Sequence, residues 1–282
     1  MNNNVQSVNP LQQYFRAIKL YLKLPSGTSY YRPEDVTFTE NGEIGVMAMT
    51  GRDELSLKNP DGLLNGESLA EVLISCVPGV KNPKILLTND IDALITAIRY
   101  ATYNDTLETG ITCPNCKHDN TFTLNLQYAL DNVEYLDEQY TVNLPNGLSV
   151  FVKPHSFPEI MQTMHAQFDQ AKLVRVVESD STTDEQRSAV FKEAFKNIAV
   201  IKYNLIANSI VKIVDESKNV DVSDKKYINE FLQNVDKKSI DQINDQIQKI
   251  NKIGIKKTFT AKCEKCEHEW ESEIDFNPVN FS

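Results

Sequence analysis

The sequence predicts an α+β fold: a mostly helical body with short β-hairpins, and a discontinuous four-cysteine zinc ribbon that closes a long helical insertion. Three observations carry this. Residues 112–126 and 262–276 share one pattern: Cys-x-x-Cys, a histidine two residues later, then polar/apolar alternation. Apolar residues at helical spacing dominate much of the remaining chain. Turn signals such as Asn41-Gly42 and Pro145-Asn146-Gly147 stand between short alternating runs.

Neither cysteine pair completes a tetrahedral Zn²⁺ shell alone, whereas Cys113, Cys116, Cys263 and Cys266 together do. Two thiolate knuckles, each opening a hairpin, are the halves of a zinc ribbon. Four protein ligands leave no open position for water, so the expected ion is structural. A redox Cys-x-x-Cys starts a helix in a βαβ unit, but both pairs here lead into strands. His118 and His268 are alternative ligands, better placed as hairpin-tip residues or as partners of the ligating groups. The expected division is an N-terminal body (1–110), the ribbon (111–126 with 257–276), an inserted hairpin and helical subdomain (127–256), and a tail (277–282).

The elements follow in order. Leu11–Leu24 fits a helical period at Leu11, Phe15 and Ile18 and an alternation at Ile18, Leu20, Leu22 and Leu24; a strand ending at Pro25-Ser26-Gly27 is favoured, and Gly45–Met49 reads as a second. Thr50 is placed as an N-cap, with Asp53 and Glu54 in the first turn. Residues 58–66 are turn-rich, and a buried helix spans about 67–77, with Cys76 packed as a small hydrophobe. Asn89 is expected to cap a helix striped by Ile91, Leu94, Ile95 and Ile98, with Arg99 as an exposed or locally paired cation. Residues 127–138 read as an acidic connection, 140–153 as a hairpin, and 157–178 as a helix. After the polar loop 179–184, the longest helix is expected from Glu185 to about Val214. Residues 215–224 read as polar connection, and 225–234 and 239–251 as helices, with Gly254 as a helix-ending residue. His155 and His165 lack neighbours at metal spacing. Phe276, Val279 and Phe281 form an apolar tail expected to dock, with a partner favoured.

The net charge of −10 and the interleaving of lysines with acids oppose nucleic-acid binding, which needs a positive field. The exception is Lys249, Lys252, Lys256 and Lys257, read as helix-dipole partners. No apolar run reaches membrane-span length, and the first residues have no secretory pattern. Five cysteines without such a signal fit a reducing compartment. The sequence contains no phosphate-binding glycine loop, no Gly-x-Ser-x-Gly and no His-Glu-x-x-His, and the pair Asp90/Asp92 fits a capped, amphipathic helix. An enzyme is not expected.

The run from Thr50 through Asn59-Pro-Asp-Gly-Leu-Leu-Asn-Gly66 to Leu69, then Ser75-Cys-Val-Pro78 and Asp90–Tyr103, resembles the baseplate hub assembly family of T4-like contractile-tailed phages. The knuckle pairs and the ending Asp275-Phe-Asn-Pro-Val-Asn-Phe281 are similar to it too. The resemblance covers roughly 45–126 and 225–282. It implies a non-enzymatic tail protein, a hub subunit or hub assembly chaperone. Its expected partners are other baseplate, hub or tape-measure proteins, met in the host cytoplasm during assembly and in the virion baseplate. The ribbon alone would also suit a nucleic-acid-binding or transcription factor, the reading that the acidic charge opposes.

Overall fold

The computed structural model describes residues 9–59, 62, 66–159, 161–163, 165, 192, 196 and 200–274. The tail, the loop 179–184 and most of the two helices flanking that loop lie outside the described residues.

Alternation places β1 (Ile18–Leu22) antiparallel to β2 (Ile44–Met47), with a bulge between Ile18 and Leu20. Thr50 then stops the strand and starts α1 (Gly51–Leu57). Its hydroxyl accepts from Asp53 N–H while the Asp53 carboxylate accepts from Thr50 N–H, so two helix-end donors are satisfied. α2 (Glu67–Cys76) opens at Gly66, whose φ of 77° favours glycine. A Cβ there would also run into Met161, so the absent side chain admits a close contact.

α3 (Thr88–Tyr103) is the pillar of this half, with Ile91, Ala93, Leu94, Ile95, Ala97 and Ile98 all buried. It packs among Leu22, Leu24, Ile44, Val46, Val72, Leu73, Leu86 and Leu107 in one core. Each such Leu or Ile removed from water stabilises the fold by roughly 1.5–3 kcal/mol. The helix cap differs from expectation: Leu87 occupies the N-cap without a side-chain bond. Asn89 instead turns inward and donates to the carbonyls of Ile250 (2.9 Å) and Ile253 (2.6 Å).

Arg16 fastens the chain start to this core. Its guanidinium donates to the carbonyls of Ala48 and Ser75, both at 2.7 Å, to Ser75 Oγ at 2.6 Å and to Asp53 at 3.1 Å.

β3 (Thr106–Thr112) and β4 (Asp119–Asn125) form the first knuckle hairpin. The stretch expected as an acidic connection begins with a short helix, α4 (Leu126–Asp131), because Asn125 Oδ1 accepts from Tyr128 N–H at 2.8 Å and caps it. The hairpin β5 (Tyr140–Asn143) and β6 (Ser149–Val152) does not stand alone. β7 (Ile210–Asp215) and β8 (Val220–Val222) extend it to an antiparallel sheet in the order β5-β6-β7-β8.

That sheet corrects two expectations. The helix expected to reach Val214 ends at Ser209, and the polar connection 215–224 contains a 3₁₀ turn and a strand. Ile210, Val211, Ile213 and Val214 are β-branched and find partners in β6, Ser149↔Val214 and Val150↔Ile213. Lys225 Nζ fastens the switch by donating to the carbonyls of Ala207, Asn208 and Ile210. Burial lowers its pKa, and the neighbouring Lys153 adds to the effect.

One face of the sheet packs on α5 (Lys225–Asn234) and α6 (Lys237–Asn251) through Val150, Val152, Ile210, Ile228, Leu232, Ile243 and Ile247, a second core. The cores meet at His155. Its carbonyl accepts from Thr88 N–H, its N–H donates to Asn251 Oδ1, and its ring Nδ1 lies 2.8 Å from Ser209 Oγ. β9 (Thr258–Lys262) and β10 (Glu269–Glu273) then form the second knuckle hairpin.

Candidate metal centre

The two knuckles are built alike. In the first, Cys113 N–H donates to the His118 carbonyl (2.8 Å) and Lys117 N–H to the Cys113 carbonyl (3.0 Å). In the second, Cys263 N–H donates to the His268 carbonyl (2.9 Å) and Glu267 N–H to the Cys263 carbonyl (3.0 Å). Each tight turn needs one left-handed residue, Lys117 at φ 59° and Glu267 at φ 56°. Neither is glycine, so each turn holds about 1 kcal/mol of backbone strain.

The turns face each other. All four sulfurs lie within 4.8 Å of one another. The closest approaches run between knuckles, Cys113–Cys266 at 3.7 Å and Cys116–Cys263 at 3.6 Å. A tetrahedron with metal–sulfur bonds of about 2.3 Å has sulfur–sulfur edges of about 3.8 Å, so this donor set fits a four-coordinate soft-metal site. These separations exceed a disulfide bond of about 2.05 Å, and the four cysteines are free thiols. Cys113 and Cys263 are buried while Cys266 is exposed, so the centre has a dry side and a wet rim.

Burial disfavours the Cys263 thiolate, but backbone N–H groups of Cys266 and Lys265 outweigh it and lower this pKa to about 6. At Cys116 the His118 N–H favours the thiolate, yet burial and the three neighbouring sulfurs push the pKa up to about 12. The Cys263 thiolate is thus favoured while that of Cys116 is opposed, the pattern of thiols crowded into one site.

The cluster brings together Cys113, Cys116, Cys263 and Cys266 without either histidine. His268 stacks on Trp270, ring centroids 6.0 Å apart and planes at 12°. Both histidines serve their turns through main-chain carbonyls, which sequence spacing does not separate from ligation. Cys76 is buried apart, beside Arg16 at 3.6 Å, and burial pushes its thiol up to about 11.

Asn120 is the residue that sequence reasoning missed. It is 2% exposed, and its Oδ1 accepts Glu264 N–H at 3.0 Å while its Nδ2 donates to the His118 carbonyl at 3.0 Å. One side chain therefore ties the second knuckle to the first. The equivalent bond in the other direction cannot form, since Pro114 stands where Glu264 does and has no N–H. The available signal was parity: Asn120 shares the inward register of β4 with Phe122 and Leu124. Below the sulfurs, Phe122 packs edge-on against Phe259 and Trp270, at 5.4 and 6.1 Å, joining the hairpins with apolar surface.

Two acids of α3 are also buried. Asp90 is fully buried and accepts from Ser26 N–H at 2.9 Å and from the Tyr31 hydroxyl. Burial raises its pKa to about 6 against those bonds. Asp92, also raised by burial, pairs with Lys257. Lys249 lies in the last turn of α6 and Lys252 caps it, so three lysines of the basic run serve a helix end or an internal pair. Arg99 lies over the Tyr103 ring at 4.7 Å.

The family model described as T4 bacteriophage base plate protein matches residues 15–281, nearly the whole chain. No curated protein and no solved structure matches. The chain belongs to that family of baseplate proteins.

Proposed function

We propose that this baseplate protein is a non-enzymatic tail component that binds other hub, baseplate or tape-measure proteins while the baseplate assembles, as hub subunit or assembly chaperone. In this reading Cys113, Cys116, Cys263 and Cys266 ligate one structural Zn²⁺. The ion grips both ends of the insertion 127–256 and fixes it against the N-terminal body 1–110. The observation that carries the metal reading is the cluster of four sulfurs within 4.8 Å of one another, with cross-knuckle approaches of 3.6 and 3.7 Å, contributed by two hairpins distant in sequence. Family membership supports the baseplate role. The protein is expected in the host cytoplasm during assembly, and in the virion if it is a subunit.

Two measurements test this. Elemental analysis of the purified protein should return one zinc per chain, and a metal-free, fully folded protein would overturn the metal reading. Affinity capture from infected cells with mass spectrometry should recover baseplate or tape-measure proteins, and recovery of none would overturn the assembly role. Stoichiometric presence in purified virions then assigns a subunit, and absence a chaperone. Among the described residues no helix is long and apolar enough to cross a membrane.

A further inference from the structure

The charge of this acidic chain is unevenly laid out. Residues 1–33 contain no Asp or Glu, yet they carry Arg16, Lys19, Lys23 and Arg32. Arg16 is committed to the clamp, and Arg32 to Asp35 and Glu34. Lys19 and Lys23 form no ion pair among the described residues. They flank Tyr21, 52% exposed, along the outward side of β1, while Leu20 and Leu22 face the core. β10 shows the opposite sign with the same parity: Glu269, Glu271 and Glu273 point out and Trp270 and Ser272 point in. None of these three glutamates forms an ion pair among the described residues.

Each strand belongs to a two-stranded sheet, and neither outer edge makes a backbone bond among the described residues. A free edge is a template for another strand. Set side by side, β1 and β10 place lysines opposite glutamates on one face. On the other face Leu20 and Leu22 come beside Trp270 and Ser272, so the inward sides of the two sheets fall on the same side. A one-residue slip would put like with unlike on both faces, so the register is specified.

We infer that β1 of one copy pairs with β10 of a second copy, joining the two small sheets into one. The two edges are different surfaces of the same chain, so the contact is heterologous, and a joined pair keeps β10 free on one copy and β1 free on the other. Such an arrangement closes into a ring or continues as a filament. The interface does not depend on the identity of the metal or of any tail partner.

The test is sedimentation equilibrium of the full-length protein. Wild type should gain mass with rising concentration and lose it between about 0.05 M and about 0.5 M salt, as screening removes the charge pairing. Lys19→Glu/Lys23→Glu and Glu269→Lys/Glu273→Lys should each weaken association about tenfold or more by placing like charges opposite each other. Mixing the two variants makes both contacts between unlike copies complementary, while like copies still repel, and should restore association as a 1:1 alternating assembly. Circular dichroism checks that both variants stay folded. A wild type monomeric at every concentration, variants that associate unchanged, or a mixture that stays monomeric would each overturn the proposal. Capture of a different tail protein by β1 while wild type stays monomeric would overturn it as well.

Discussion

The Asn120 side-chain oxygen accepts the backbone N–H of Glu264 at 3.0 Å across 144 positions of sequence. This is a direct bond between the two knuckles apart from the sulfur cluster. Asn120→Ala should cost about 1 kcal/mol, because the part-buried Glu264 N–H loses its partner and the His118 carbonyl loses one of two. The measurement is zinc release to a chelator alongside thermal unfolding. The variant should release metal faster at unchanged stoichiometry, and unchanged release would remove Asn120 from the site.

Cys263→Ser takes away the sulfur whose thiolate the turn's backbone N–H groups favour. A structural site's binding energy is folding energy, about 10–16 kcal/mol in isolated zinc peptides. The variant should therefore lose both zinc and part of its far-ultraviolet circular dichroism. A variant with one zinc and wild-type helicity would contradict shared ligation by the four thiols.

Lys117→Gly and Glu267→Gly should act the other way. Both positions are left-handed, where a Cβ is strained, and glycine's extra freedom in the unfolded chain offsets only part of the relief. Each change should raise stability by roughly 0.5 kcal/mol, read as a shift of the urea midpoint with zinc held saturating.

Arg16→Ala strands the carbonyls of Ala48 and Ser75 and leaves Asp53 without its cation. Urea unfolding should show a loss of about 3 kcal/mol. Arg16→Lys should recover only a minor part, since an ammonium cannot span acceptors on both sides of a planar fork.

Asp90 makes stability depend on pH. Its carboxyl is raised from 3.8 to about 6, mainly by burial. A raised pKa means that the folded state holds the proton more tightly than the unfolded chain. The contribution is full below about pH 4, is lost as pH rises through about 6, and amounts to about 3 kcal/mol. Asp90→Asn stays neutral throughout. The difference in unfolding free energy between wild type and variant should slope between pH 4 and 6 and be flat above; no slope there would mean that Asp90 titrates normally.

The meeting of the four cysteines was legible because its signal is local: two Cys-x-x-Cys turns, each with its own strand, read the same wherever they lie. The capping box at Thr50 and Asp53 was legible for the same reason. β7 was not, since Ile201, Leu205 and Ile210 continue a helical stripe and only the register with β6 decides for a strand. Asn89 looks like a cap from its neighbours, yet its side chain is recruited by carbonyls 161 and 164 positions away. Asn120 reads as an ordinary polar strand residue until the second knuckle is placed against it. In each case the deciding partner lies outside any local window.

The cysteine cluster draws its sulfurs from both flanks of the long excursion between Cys116 and Cys263. Asn89 with Ile250 and Ile253, and Asp92 with Lys257, fasten the same base. Covalent continuity through that excursion is thus unnecessary for holding its two ends together. A protease nick inside it should leave two fragments that travel as one particle on a native column and part only when the cysteine cluster and the base come apart.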